Sequence, residues 1–205
     1  MKVIALNGSP RPSGNTYQAL KIVCDELENE KIDTKILQIG KMNVKGCICC
    51  GRCNEGYCIH NDDIITSMVN EIYEADGILL ASPVYYCGIS GSMKCFLDRL
   101  LYASHGKMRH KIGASLTVCR RSGGIPTFDQ LNNYFFISEM LVVSSYYWNV
   151  IHGAKPGEIL EDLEGVSILK NLGKNMSWVI KMKEETKNIL PSPTAYPRSW
   201  MNFIR

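Results

Sequence analysis

Five cysteines lie close together in this chain, between Cys47 and Cys58. Four of them follow the spacing C-x2-C-x2-C-x4-C, and these are Cys47, Cys50, Cys53 and Cys58. Thiolates at this spacing can surround one compact soft-metal centre, as the ligands of iron–sulfur clusters do. Disulfides are a poor alternative, because cysteines so close in sequence rarely reach the geometry of a bridge. The segment therefore predicts a metal or redox site.

From the residues alone, more than one use of these thiols remains open. A [4Fe–4S] cluster needs four cysteine ligands, and the glycines of the segment would permit a tight backbone path around it. Zinc is less favoured, since structural zinc sites usually pair two short cysteine motifs across a longer spacer. A redox-active thiol pair, such as Cys50 with Cys53, is a further reading. Cys49 is surplus to the four-cysteine motif.

A second group of chemistry-bearing residues follows the first predicted strand, in the loop 8–16. It offers hydroxyls, an amide, a guanidinium and the free N–H groups of a helix, which could converge on one anion. The side chains are those of Ser9, Arg11, Ser13, Asn15 and Thr16. The spacing matches neither the Rossmann nor the P-loop pattern, and so many donors suit a terminal phosphate monoester better than a pyrophosphate. We therefore expect a mononucleotide such as FMN, with a capped Ser/Pro/Gly turn as the purely structural alternative.

Composition limits the possible functions further. The chain has 205 residues, of which 45% are hydrophobic and 21% charged, as expected for one globular domain. The formal charge of +3 is mild, so nucleic-acid binding is not indicated. No apolar run reaches the roughly 18 residues of a membrane-spanning helix, and the N-terminus turns polar too soon for a signal peptide. We expect a cytoplasmic protein with no membrane partner, whose clustered thiols serve metals or redox chemistry.

Strands and helices are predicted to alternate along the chain. Short apolar runs predict five strands, at 2–7, 34–39, 77–82, 112–118 and 141–150. Helical spacing of apolar residues predicts helices between them, with Asp62 and Asp63 at the start of the second and a last helix over 163–187. This alternation predicts an α/β fold, with a five-stranded parallel sheet and helices on both faces. Ligands of such sheets bind beyond the carboxyl ends of the strands, here the loops 8–16, 83–91 and 119–124.

The loop after the third predicted strand has the residues to hold a flat ring. Tyr85 and Tyr86 can supply aromatic contact, while Gly88 permits a close approach of the backbone. The structural alternative is a pair of tyrosines that pack beneath a loop. The loop 119–124, at the same edge, could close on the ligand or receive the anionic part of a dinucleotide; a solvated basic turn is its alternative.

Together, these motifs resemble those of a known family. Asn7-Gly8-Ser9-Pro10-Arg11 with Gly14-Asn15-Thr16 is similar to the phosphate loop of the flavodoxin-like NADPH-dependent FMN reductases. Ser82-Pro83-Val84-Tyr85-Tyr86, continuing to Asp98-Arg99, resembles their flavin-ring loop and following helix. The cysteine motif resembles that of one branch, the iron–sulfur flavoproteins, and the final residues Asn202-Phe203-Ile204-Arg205 are similar to tails in this group.

The resemblance implies a flavodoxin-like FMN-binding domain over residues 1–190, with an inserted cysteine segment over 46–60 and a C-terminal tail over 191–205. It implies that loop 8–16 holds the flavin phosphate. The remaining flavin contacts would come from Pro83, Val84, Tyr85, Tyr86 and Gly88, with Ser122 and Gly123 added by their position. The resemblance further implies one [4Fe–4S] cluster on Cys47, Cys50, Cys53 and Cys58, although a relative can keep these cysteines and hold no cluster.

The implied function is that of an FMN-dependent oxidoreductase that passes electrons between its flavin and the cluster. Hydride transfer to a flavin demands no acid, base or nucleophile, so we predict no catalytic side chain. The expected donor is NAD(P)H or a protein such as ferredoxin, and relatives in this fold imply a homodimer or homotetramer. The alternatives are an NAD(P)H-dependent FMN or quinone reductase without a metal cluster, and a non-catalytic flavin electron carrier.

Overall fold

The computed structural model describes residues 1–60, 65–201 and 203. The strands are β1 (Lys2–Asn7), β2 (Asp33–Gln38), β3 (Gly77–Pro83), β4 (Ile112–Cys119), β5 (Leu141–Val142) and β6 (Val150–His152). The helices are α1 (Asn15–Asn29), α2 (Ile65–Glu74), α3 (Gly91–Ala103), α4 (Gly124–Ile137) and α5 (Leu163–Thr186), with a short 3₁₀ helix at Glu158–Glu161. The predicted acidic pair Asp62 and Asp63 lies outside the described residues, as do Asn202, Ile204 and Arg205 of the tail.

The strands form one parallel sheet in the order β2–β1–β3–β4–β5. This is the strand order of flavodoxin-like folds. Helices cover both faces, because successive residues of a strand point to opposite sides of the sheet. Val3 and Ala5 pack in the core formed with α1 and α5, whereas Ile4 and Leu6 pack in the core formed with α2, α3 and α4. The predicted α/β fold, with a parallel sheet between two helical layers, is confirmed.

The last strand differs from its prediction. One strand is predicted over 141–150, whereas the structure has the two short strands β5 and β6. Both pair with β4, Leu141 opposite Ile112 and His152 opposite Cys119. Because β3 occupies the other edge of β4, β5 and β6 share one position in the sheet. The prediction of a continuous strand is therefore wrong at residues 143–149, although the number of strand positions is right.

A buried asparagine explains this interruption. The side chain of Asn149 is 1% exposed, and its amide donates a hydrogen bond of 2.9 Å to the carbonyl of Ser115 in β4. The carbonyl of Asn149 also accepts from the N–H of Thr117 at 2.9 Å. These bonds attach the chain to β4 at Asn149, while the residues just before it form a loop instead of continuing the hydrogen-bond ladder of the sheet. The aromatic residues before Asn149, which resemble strand residues by type, are thereby left exposed.

The parallel arrangement brings the functional loops together. The carboxyl ends of β1, β3, β4 and β6 all lie at one edge of the sheet, as parallel strands require. The chain therefore leaves four strands side by side, after Asn7, Pro83, Cys119 and His152. The cysteine segment lies between β2 and α2. Among the described residues, no helix is both long and apolar enough to cross a membrane.

Candidate flavin site and cysteine segment

The loop after β1 forms an anion cradle at the start of α1. Gly14 precedes the helix in an extended conformation, and no described side chain caps the helix. The N–H groups of its first turn therefore keep their capacity for a ligand, and the helix dipole favours a negative charge there. Thr16 and Ser9 are buried in this cradle, whereas Arg11 and Ser13 are exposed. These donors are of the kind that can bind a phosphate monoester.

Hydrogen bonds fix the path of this loop. Asn7 accepts from the N–H of Ser9 at 3.0 Å and donates to the side chain of Gln38 at 2.7 Å. The hydroxyl of Ser9 accepts from the N–H of Arg11 at 3.2 Å, so its own proton remains available to a ligand. Gly40, just after β2, permits close contact with this loop, because a Cβ there would lie 2.2 Å from the carbonyl carbon of Ser9.

The loop after β3 ends in a tight turn at residues 85–88. Tyr85 and Gly88 exchange two main-chain hydrogen bonds, of 2.8 and 2.9 Å. Between them, Tyr86 (φ 50°) and Cys87 (φ 59°) both adopt the left-handed conformation, as in a type I′ turn. Residues other than glycine pay roughly 1–3 kcal/mol for such a conformation, and this strain tends to occur at functional sites. The side chain of Tyr86 is fully exposed and that of Tyr85 is partly exposed.

Ser90 joins the two loops. Its hydroxyl donates to the carbonyl of Gly8 at 2.6 Å and accepts from the N–H of Met93 at 3.4 Å, which caps α3. The N–H of Ser90 donates to the hydroxyl of Ser82 at 3.0 Å. These residues are buried, so the loop after β1 and the loop after β3 are held in a fixed relation.

The loops line one cavity of about 230 Å³ at the edge of the sheet. Among the predicted site residues, the structure places seven in its lining: Ser9, Arg11, Asn15, Thr16, Pro83, Val84 and Tyr85. Ser13, Tyr86 and Gly88 lie in the same loops but do not line this cavity. Ser122 and Gly123 line an adjoining cavity of about 280 Å³, which shares Cys119 with the first.

The two cavities meet at Gly123. This residue adopts a left-handed conformation (φ 88°), and a Cβ there would lie 2.9 Å from Val84 Cγ1 and 3.1 Å from Cys87 Sγ. Only glycine therefore fits at this position without strain. The loop after β4 thus packs directly against the loop after β3.

Sequence reasoning missed a fourth wall of the first cavity, formed by Gly153, Ala154 and Pro156 after β6. The side-chain amide of Asn15 donates to the carbonyl of Lys155 at 2.9 Å, and its oxygen accepts from the N–H of Gly157 at 2.8 Å. The amide that the sequence assigns to a phosphate thus holds this wall in place. The Lys155-Pro156-Gly157 turn is a readable signal, but it points to the site only if the last strand ends at His152.

The cysteine segment is folded tightly. Asn54 and Tyr57 exchange two main-chain hydrogen bonds, of 3.0 and 2.8 Å, and this turn brings Cys53 and Cys58 to neighbouring positions. Cys49 adopts a left-handed conformation (φ 51°), and its N–H donates to Cys47 Sγ at 3.5 Å. Hydrogen bonds from backbone N–H groups to sulfur are among the factors that set the potential of iron–sulfur clusters.

A buried arginine of α3 forms hydrogen bonds with both ends of this segment. The guanidinium of Arg99 donates to the carbonyl of Lys45 at 3.4 Å and to the carbonyl of His60. Lys107 donates to the carbonyl of Glu55 at 2.6 Å, and the hydroxyl of Tyr73 donates to the carbonyl of Gly56 in the same turn. The segment is therefore attached to the body of the domain at its ends and at its middle.

The other thiols of the motif affect the pKa of Cys53. Burial raises the pKa of Cys53, and the neighbouring thiols of Cys58, Cys50 and Cys47 raise it further. A bound cation would remove this mutual penalty. Cys47, Cys49 and Cys53 also line one cavity of about 730 Å³.

The cysteines have the chemistry of an iron–sulfur ligand set, but they are not gathered around one point. Among the described residues, no three His, Cys, Asp or Glu side chains are arranged to hold a metal ion. Cys47 and Cys50 are exposed, and Cys53 and Cys58 are half-buried. Ligation would therefore require these side chains to close in around the metal centre.

The fold and the site define a flavin-dependent oxidoreductase of the flavodoxin-like class. Residues 1–155 match the family model of the NADPH-dependent FMN reductases, and the chain belongs to this family. It is an FMN-dependent oxidoreductase. The predicted family is thereby confirmed.

Similar proteins include iron–sulfur flavoproteins and an azoreductase. An iron–sulfur flavoprotein of Methanocaldococcus jannaschii is 35% identical over 191 residues, which cover 89% of this chain and 98% of the relative. An iron–sulfur flavoprotein of Methanosarcina thermophila is 27% identical, with coverage of 92% and 100%. An NADPH azoreductase of Bacillus sp. is 29% identical, over 65% of this chain and 66% of its own length.

Solved structures support the fold. RosB with the bound intermediate 8-demethyl-8-formylriboflavin-5'-phosphate matches with a TM-score of 0.74 and 16% identity, over 100% of this chain and 94% of RosB. An archaeal flavodoxin matches with a TM-score of 0.60 and 17% identity, over 88% of this chain and 99% of the flavodoxin.

Proposed function

We propose that this oxidoreductase carries one [4Fe–4S] cluster on Cys47, Cys50, Cys53 and Cys58, and that electrons pass between the cluster and FMN. The observation that carries the proposal is the C-x2-C-x2-C-x4-C spacing of these thiols on a segment that Arg99 fastens to α3. Relatives that share most of their length with this chain and are named iron–sulfur flavoproteins support it.

The residues of the first cavity suit FMN. Ser9, Arg11, Thr16 and the N-terminus of α1 would bind the phosphate, and residues 83–88 with Ser122 and Gly123 would hold the isoalloxazine and ribityl chain. When bound, FMN supplies redox chemistry that exchanges electrons in pairs or singly. The chain itself positions the flavin and its partner, so we assign no catalytic side chain.

The proposed electron donor is NAD(P)H or a protein electron carrier such as ferredoxin. The proposal includes a cytoplasmic homodimer or homotetramer, with one domain over 1–190 and a tail over 191–205. The family description names NADPH, which supports a nicotinamide donor.

Counting electrons tests the proposal. An anaerobic reductive titration of the purified protein is expected to take up about three electrons per chain, because a flavin accepts about two and a cluster about one. Uptake of only two electrons would contradict it.

A second candidate is an NAD(P)H-dependent FMN or quinone reductase with unmetallated cysteines. It is favoured by the spread of the thiols, none of which lies in a ready-made ion site among the described residues. The electron count separates the two candidates, because the simple reductase takes up about two electrons.

A further inference from the structure

The second cavity at the edge of the sheet has an aromatic wall that the flavin site does not use. Tyr147 and Trp148 line it, together with Arg121 and the start of α5. Their rings lie edge to face, with centroids 4.8 Å apart, and they are 57% and 52% exposed. Large aromatic side chains left half in solvent beside a cavity offer a stacking surface for a flat ring.

Hydrogen bonds fix the backbone of the loop that carries this aromatic wall. It occupies the loop that interrupts the last strand, next to the buried Asn149. The hydroxyl of Ser145 lies 2.7 Å from both the carbonyl of Tyr147 and the side-chain oxygen of Asn149, and Asn149 is bonded in turn to β4. A departure from regular structure that is so well supported is typical of a functional site.

The charged side chains around the cavity differ in whether they already have hydrogen-bond partners. The Asp162 carboxylate accepts from the N–H groups of His152 at 2.8 Å and of Gly165 at 2.9 Å, so it is already satisfied. Glu164 is an exposed carboxylate in the lining. Arg121 is exposed and forms no ion pair among the residues the structure describes, so its guanidinium is available to an anion.

We propose that this cavity binds the adenosine-phosphate end of a nicotinamide dinucleotide. The adenine ring would stack on Trp148 and meet the neighbouring Tyr147 edge to face, and a phosphate would pair with Arg121. The cavity, of about 280 Å³, suits one base rather than a whole dinucleotide, and it adjoins the flavin cavity through Cys119. A dinucleotide anchored here has its nicotinamide end free to reach the flavin. This inference rests on the proposed use of NAD(P)H as donor.

Fragments that cannot reduce a flavin test the site by binding alone. ADP-ribose and 2'-phospho-ADP-ribose are titrated calorimetrically into the FMN-loaded protein. Trp148→Ala is expected to weaken their binding about five- to a hundredfold, because a stacking contact is lost. Arg121→Gln is expected to weaken it about tenfold or more, as loss of a charge-assisted hydrogen bond does. Glu164→Gln is expected to strengthen it, because a like charge is removed.

Trp178→Ala is the matched control, since Trp178 is also exposed but lies on α5 and does not line the cavity. Its Kd should equal that of the unaltered protein. Trp148→Phe retains a ring and should keep most of the affinity. Unchanged Kd values in Trp148→Ala and Arg121→Gln would overturn the inference. So would the absence of fragment binding in a protein whose flavin NADPH reduces. In that last case the nicotinamide donor stands and only this site fails.

Discussion

The hydroxyl of Ser90 donates a hydrogen bond of 2.6 Å to the main-chain carbonyl of Gly8, although 82 residues separate them. The bond joins the N-terminus of α3 to the loop after β1, and Ser90 caps α3 with the same oxygen. Replacing it by alanine leaves a buried carbonyl unpaired, at about 1–3 kcal/mol, and removes a helix cap worth about 1 kcal/mol.

Ser90→Ala is therefore expected to lower the free energy of unfolding by about 2 kcal/mol and to weaken FMN binding several-fold, measured by denaturant unfolding and fluorescence titration. Ser177→Ala on α5 is the control, because it is equally buried but remote from both loops. FMN affinity equal in the two variants would mean that the bond does not organise the site.

Arg11 provides a test of the phosphate cradle. We expect Arg11→Gln to weaken FMN binding about tenfold or more, because a charge-assisted hydrogen bond is worth about 1.5–3 kcal/mol. Riboflavin, which lacks the phosphate, should bind the variant and the unaltered protein equally. An equal loss for both flavins would show that Arg11 acts on the fold rather than on the phosphate.

A substitution at Tyr86, in the strained turn, is expected to change stability and FMN binding in opposite directions. Its side chain is fully exposed, and asparagine tolerates the left-handed conformation better. Tyr86→Asn should stabilise the flavin-free protein by about 1 kcal/mol while weakening FMN binding, if the ring of Tyr86 contacts the flavin as predicted. Unchanged FMN affinity would remove Tyr86 from the binding site.

Arg99 should control the order of the cysteine segment. Arg99→Met keeps an apolar stem in the core but removes the hydrogen bonds to Lys45 and His60. We expect faster hydrogen exchange over residues 45–60 and a lower iron content, with FMN affinity unchanged. Lys94→Met, on the exposed side of the same helix, should leave all three unchanged. A variant of Arg99 that keeps its full iron content would contradict the role given to this clamp.

Serine variants separate the four motif cysteines from the fifth. Cys53→Ser is expected to abolish iron binding, because Cys53 is the third cysteine of the motif and a [4Fe–4S] cluster needs four thiolate ligands. Cys49→Ser should retain iron, since its backbone N–H rather than its thiol contacts Cys47. Retention of iron by Cys53→Ser and its loss from Cys49→Ser would reassign the ligands.

The sequence predicts the sheet and the loops well, because continuous apolar strands and their carboxyl ends are local signals. Seven predicted flavin residues, among them Ser9 and Tyr85, line one cavity for this reason. The flavin-binding roles given to these seven residues, and to Ser13, Tyr86, Gly88, Ser122 and Gly123, stay predictions. Contacts between segments far apart in the chain could not be predicted from the sequence. Nothing local marks Asn149 as an anchor to Ser115, and the bonds of Asn15 to the loop after β6 join residues about 140 positions apart.

The presence of two redox centres in one chain is the central claim, and an anaerobic preparation tests it directly. FMN is quantified from the visible spectrum, and iron and acid-labile sulfide are measured on the same sample. We predict about four irons and about four sulfides per flavin. A protein that binds a full complement of FMN and contains no iron or sulfide would contradict the claim.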